Sequence, residues 1–168
     1  QIVYLKDDED CTKSNCRNQL TNILRKSKGE DDTFIFYYGG HGNEKGFNCS
    51  KGGIWYYKDA VDLIKTTFRG NKVWYLLDCC YSGTISTKYL SSMNNSRISY
   101  VCLASQAAHW TASDYYWSMT ECMVTALSYF CNENPWTIEE LVEYTADHHA
   151  VNKMDWFQAT FHGNNTIR

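Results

Sequence analysis

The chain has 168 residues, 43% apolar and 21% charged, enough for one buried core over residues 1–168 and too apolar for intrinsic disorder. Sixteen lysines and arginines against nineteen aspartates and glutamates leave a formal charge of −3, so bulk charge does not indicate a nucleic-acid surface. One proline and ten glycines exclude collagen-like and low-complexity architectures, and no apolar run nears the roughly 18 residues of a membrane span.

In chain order, residues 2–5 form a short apolar run that reads as the end of a strand, followed by an acidic turn at residues 7–10. Cys16, Leu20, Ile23 and Leu24 recur at helical spacing, with Thr12 or Ser14 as N-cap and an end near Lys28-Gly29. Residues 33–38 (Thr-Phe-Ile-Phe-Tyr-Tyr) are β-branched and aromatic on both faces, as in a buried parallel strand, and run into Gly39-Gly40-His41-Gly42. Val61, Ile64 and Phe68 mark a second helix, stopped by Gly70. Residues 72–77 are another buried strand, ending in Asp78-Cys79-Cys80-Tyr81-Ser82-Gly83, and residues 98–104 are a third. Two capping boxes, Ser118 with Glu121 and Thr137 with Glu140, start helices over 119–131 and 138–150, and residues 157–161 read as a last strand. Strands alternating with helices predict an α/β fold with its sheet covered on both faces.

The eight cysteines are too sparse for a disulfide scaffold, and no C-x-x-C pair suggests a zinc knuckle or a thioredoxin-type motif. Asn48, Asn94 and Asn164 begin N-x-S/T triplets, which matter only in a secretory compartment. A reducing, cytoplasmic location is the expectation.

In open α/β sheets, chemistry gathers beyond the carboxyl ends of the strands. Two of the buried strands end in unusual peptides there, one placing His41 between glycines and the other placing Cys80 before Tyr-Ser-Gly. If the strands are parallel neighbours, both side chains emerge at one edge, where a base can turn a thiol into a thiolate. The Gly42 N–H could then help to hold an oxyanion. Each motif has a plainer reading, an inert core cysteine and an ordinary glycine turn.

Taken together, Tyr38-Gly39-Gly40-His41-Gly42 and Asp78-Cys79-Cys80-Tyr81-Ser82-Gly83 resemble the caspase-like cysteine peptidases, metacaspases and their bacterial relatives more than animal caspases. The resemblance runs from about Ile2 to Phe161 and implies a caspase-like three-layer αβα sandwich with a mostly parallel central sheet. It implies that His41 is the general base and acid, that Cys80 rather than Cys79 is the nucleophile, and that the Gly42 and Cys80 N–H groups form the oxyanion hole. Asp78 falls at the base of the primary specificity pocket and Ser105 on the strand lining the substrate groove. A carboxylate at Asp78 would favour Arg or Lys at P1; its plainer reading is a helix- or loop-capping group.

The departures from the pattern are specific. Gly39 replaces the usual serine, and His41 lies 39 residues before Cys80, against about 50 in caspases. The shortening falls in residues 43–53, where metacaspases carry acidic residues of a calcium site. Asp59 and Asp62 remain, but Thr87 stands where an acid is expected, so no cofactor is expected and calcium is not supported by the loop. The family's first strand is not found in residues 1–168, so either upstream residues or a separate segment of the same precursor would fill its place.

The reading is a cysteine endopeptidase acting on protein or peptide substrates after Arg or Lys, with no nucleic-acid or membrane partner and no metal. A catalytically silent caspase-like module is the rival, and a zinc or redox protein the third. His148-His149, lacking a third ligand, read as a solvated helix face. Trp110, Tyr115, Tyr116 and Trp117 read either as substrate walls or as packing.

Overall fold

The computed structural model describes residues 1–94, 96–106, 119–130, 137–151 and 158–163. Residues 1–6 form no strand, contrary to expectation, and Ile2 and Tyr4 are 91% and 75% exposed. An apolar run becomes a strand only where a neighbouring edge takes up its backbone groups, and this run pairs with none of the described strands. The acidic residues after it form a single helical turn, α1 (Asp7–Asp10).

Helix α2 (Lys13–Leu24) starts at Thr12, whose hydroxyl accepts from the Asn15 N–H at 3.2 Å. It ends a turn before Lys28-Gly29, because Asp32 accepts from the Ser27 hydroxyl and the Lys28 and Gly29 N–H groups and bends the chain away. Strand β1 (Thr33–Gly39) follows, then three short strands, β2 (Gly42–Asn43), β3 (Gly46–Asn48) and β4 (Ile54–Tyr56), paired antiparallel in a small sheet of their own. Strands of two or three residues carry no readable alternation, so this sheet was not legible in the sequence. Phe47 holds it down, with its ring centroid 4.4 Å from that of Tyr38 and 4.7 Å from that of Tyr57.

Helix α3 (Tyr57–Thr67) buries Tyr57, Ala60, Val61 and Ile64, and β5 (Lys72–Asp78) returns through the core. After a π turn at Ile85–Tyr89 and a 3₁₀ turn at Leu90–Met93, the remaining described elements are β6 (Ser99–Ala104), α4 (Met119–Phe130), α5 (Ile138–Val151) and β7 (Gln158–His162). The Thr137–Glu140 capping box opens α5: Thr137 Oγ1 accepts from the Glu140 N–H at 3.2 Å, and Glu140 accepts from the Thr137 N–H at 2.7 Å. Ser118, the aromatic residues 110 and 115–117, Phe157 and Asn164 lie outside the described residues, as do the side chains of His148 and His149.

The main sheet has the order β1-β5-β6-β7, with β1, β5 and β6 parallel and β7 antiparallel to β6. One face sends Phe34, Phe36, Tyr38, Val73, Tyr75 and Leu77 against α2 and α3. The other packs Trp74, Leu76, Val101 and Leu103 against Met119, Met123 and Ala126 of α4 and Ile138 and Leu141 of α5. The result is a caspase-like α/β sandwich with a mostly parallel central sheet between helices. One expectation needs correcting, since among the described residues helices cover β1 on one face only. Its Ile35 and Tyr37 are 54% and 48% exposed, because α4 and α5 pack over β5 and β6. No described helix is long and apolar enough to cross a membrane.

Candidate active site

The parallel register sets Gly39 of β1 opposite Asp78 of β5, so both unusual peptides leave the sheet at one edge. The Gly40 N–H donates to the Asp78 carbonyl at 3.1 Å and carries the pairing one residue further. Gly40 has φ +150°, a conformation that suits glycine.

His41 is exposed, but its backbone is held from two sides. Its carbonyl accepts from the Tyr38 hydroxyl at 2.7 Å and from the Asn48 N–H at 3.0 Å. The Tyr38 hydroxyl also reaches the Asn48 carbonyl at 2.9 Å, and burial raises its pKa, so it remains a donor. With Asn48 bonded to His41, the bonded positions of this antiparallel ladder fall on either side of the Gly42–Phe47 pair. The Gly42 N–H therefore points out of the ladder.

Gly42 lies against the other peptide. A Cβ built on it would be 2.5 Å from the Cys80 carbonyl oxygen, 3.0 Å from Cys79 Sγ and 3.2 Å from the Tyr57 hydroxyl. Only a residue without a side chain fits there, and the close fit brings the residue after His41 onto the backbone of Cys80.

The two adjacent cysteines differ sharply. Cys79 is fully buried, 3.9 Å from the Tyr57 hydroxyl, and burial pushes its thiol up to about 12. Cys80 is partly exposed at the edge. Tyr81 has φ +57°, left-handed for an aromatic residue and strained by about 1–3 kcal/mol. The turn is held from behind by Ser82, fully buried, whose hydroxyl donates to the Gln106 carbonyl at 3.3 Å and accepts from the Gln106 N–H at 3.1 Å. The Gly83 N–H adds a third bond between the two segments, the second to the Gln106 carbonyl, at 2.7 Å.

Asp78 caps the first turn of α4. Its Oδ2 accepts from the Thr120 N–H at 3.0 Å and from the Thr120 hydroxyl at 2.6 Å, in the first turn of α4. The same hydroxyl meets Tyr37 at 3.0 Å. Ser105 follows β6 and is 1% exposed; its N–H donates to the Leu77 carbonyl at 2.9 Å, while its hydroxyl has no hydrogen-bond partner among the described residues. The structure thus gathers His41, Gly42, Asp78 and Cys80 at one edge, with Ser105 buried beside the end of β5.

The residues weighed for calcium have other partners among the described residues. Asp59 lies 3.8 Å from Lys13 and Asp62 is paired with Lys58, while Thr87 donates to the Gly83 carbonyl. Among the described residues no three His, Cys, Asp or Glu side chains are grouped as a metal would need. Sequence reasoning missed Tyr38, Tyr57, Ser82 and Thr120 as supports of the site. Tyr38 and Ser82 belong to the two motifs and could have been singled out there; Tyr57 and Thr120 carry no local signal.

Comparison with known families matches residues 3–160 to the caspase domain. A crystal structure of a protein from Geobacter sulfurreducens has a similar fold, with a TM-score of 0.62 at 12% identity, covering 96% of this chain and 79% of that one. No curated protein matches.

Proposed function

The chain belongs to the caspase domain family, and we propose that it is a cysteine endopeptidase that cleaves after Arg or Lys through His41 and Cys80. The observation that carries this reading is the contact of Gly42 with the Cys80 carbonyl, which sets the base-bearing hairpin against the nucleophile-bearing turn. The buried, high-pKa thiol of Cys79 supports Cys80 as the reacting one.

In this mechanism the Cys80 thiolate attacks the scissile carbonyl while the Gly42 and Cys80 N–H groups hold the oxyanion. His41, having taken the thiol proton, gives it to the leaving amine. Water, deprotonated by His41, then hydrolyses the thioester and restores the thiol. Asp78 presents its carboxylate to a basic P1 side chain, its Thr120 bonds orienting it, and Ser105 lies just past the end of β6, the strand that would line the groove.

The test is hydrolysis of fluorogenic peptides with Arg, Lys, Asp or Asn at P1, with calcium and with a chelator. Cleavage after Arg or Lys is expected in both media, abolished in Cys80→Ala and at least tenfold weaker in Asp78→Ala. Cleavage after Asp, or activity surviving Cys80→Ala, overturns the reading.

A further inference from the structure

Three of the cysteines that take no part in that chemistry, Cys11, Cys16 and Cys49, are brought near one another by the fold. Cys11 and Cys16 flank the start of α2, and Cys49 follows β3. The Ser50 N–H donates to the Cys11 carbonyl at 3.0 Å, tying the two segments backbone to backbone. A Cβ built on Gly53 would lie 3.6 Å from the Cys49 Cβ and 4.0 Å from the Lys13 Cβ. Lys13 and Cys16 are three residues apart on α2 and share a face. Cys16 and Cys49 pack against the same core cluster, near enough for each thiol to perturb the other's ionisation.

We propose that Cys16 and Cys49 are a disulfide-forming pair, oxidised by a low-molecular-weight disulfide such as oxidised glutathione, and that the bridge staples α2 to the small sheet. The inference does not depend on the peptidase reading. Burial raises both thiols, Cys16 to about 12, while the Cys16 contact and the Lys13 ammonium favour the Cys49 thiolate. Cys49 is therefore the entering nucleophile. Its thiolate attacks one sulfur of oxidised glutathione and expels one glutathione thiolate, leaving a mixed disulfide. Cys16 loses its proton to solvent and attacks the Cys49 sulfur, expelling the second. Two electrons pass to oxidised glutathione and two protons leave the protein. Exchange accelerates as pH rises, because both thiols ionise late.

The bridge has a consequence at the site. Cys49 follows Asn48, whose N–H and carbonyl bond His41 and Tyr38. Fixing Cys49 to α2 fixes the strand that holds the His41 backbone.

The full chain, as wild type and as Cys80→Ala to keep that thiol out of the exchange, is incubated with oxidised glutathione, alkylated and digested with trypsin without reduction. Cleavage after Lys13 separates Cys11 from Cys16, so the partners are distinguishable. The expected result is a linked pair of peptides carrying Cys16 and Cys49, reversed by reductant, and a melting temperature raised by about 5–10 °C. In Cys16→Ser, Cys49 should accumulate as the mixed disulfide with glutathione. Alkylated Cys16 and Cys49 after oxidation, or a bridge from Cys49 to Cys11, overturns the proposal, and the wild-type mass spectrum decides this whether or not the variant folds.

Discussion

Replacing Gly42 by alanine tests the contact on which the site is built. The added methyl would lie 2.5 Å from the Cys80 carbonyl oxygen and 3.0 Å from Cys79 Sγ, whereas relaxed contacts begin near ~3.5 Å. The carbonyl is backbone and Cys79 is fully buried, so neither can swing aside as a flexible side chain would. Relief therefore means pushing the hairpin and the Cys80 turn apart by about 1 Å. Overpacking of this kind costs about 1–3 kcal/mol, a fall of roughly 3–10 °C in melting temperature for a chain of this size. A displacement of about 1 Å between base and nucleophile costs on the order of 100-fold in kcat/KM. The assay pairs thermal unfolding with kcat/KM on an Arg-P1 peptide. Gly29→Ala is the control, since a Cβ there meets nothing within 4 Å. A Gly42→Ala protein within twofold of wild-type kcat/KM and with an unchanged melting temperature would refute the close approach.

The buried thiol of Cys79 predicts a pH dependence of stability. Its pKa rises from the ordinary 9.0 to about 12 on folding, so the folded chain keeps a proton that the unfolded chain loses. This contribution is complete below pH 9 and is lost as pH rises to about 12, so Cys79→Ala should flatten the alkaline fall in urea stability. A slope equal to wild type would contradict it. Ser82→Ala leaves the Gln106 N–H without its 3.1 Å partner in the interior and should cost about 1–3 kcal/mol. It should also speed alkylation of Cys80 as the turn loosens; unchanged stability and labelling would count against Ser82 as the support of that turn. Thr120→Ala deletes the 2.6 Å bond to Asp78 but keeps the backbone one, so a loss of about 1–2 kcal/mol is expected by thermal unfolding. A Thr120→Ala protein as stable as wild type would show that this bond contributes nothing.

Much of the frame is written in local pattern. The strands at Thr33–Gly39, Lys72–Asp78 and Ser99–Ala104 come from apolar runs of six or seven residues bounded by turn residues. The Thr12 cap and the Thr137–Glu140 box need only neighbours within a helical turn, so they too were legible. Two motifs at strand ends located His41 and Cys80, because a chain leaving a parallel strand must emerge at that edge.

What the sequence could not decide depends on partners distant along the chain. Among the described residues, residues 2–5 have the composition of a strand but pair with no edge, and β1 has two apolar faces of which the helices cover one. Asp78 is bonded to a residue 42 positions later, and Ser82 to one 24 positions later. Nothing near either residue announces those bonds. The small sheet of two- and three-residue strands is held by Phe47 packed between Tyr38 and Tyr57 rather than by any period of its own. The sequence by itself determined which edge of the sheet the His41 and Cys80 peptides leave from, because backbone propensity and side-chain alternation act over a few residues. Only the tertiary structure decided how closely Gly42 is set against Cys80 and what holds the two motifs, because close packing and buried hydrogen bonds join residues that the chain keeps apart.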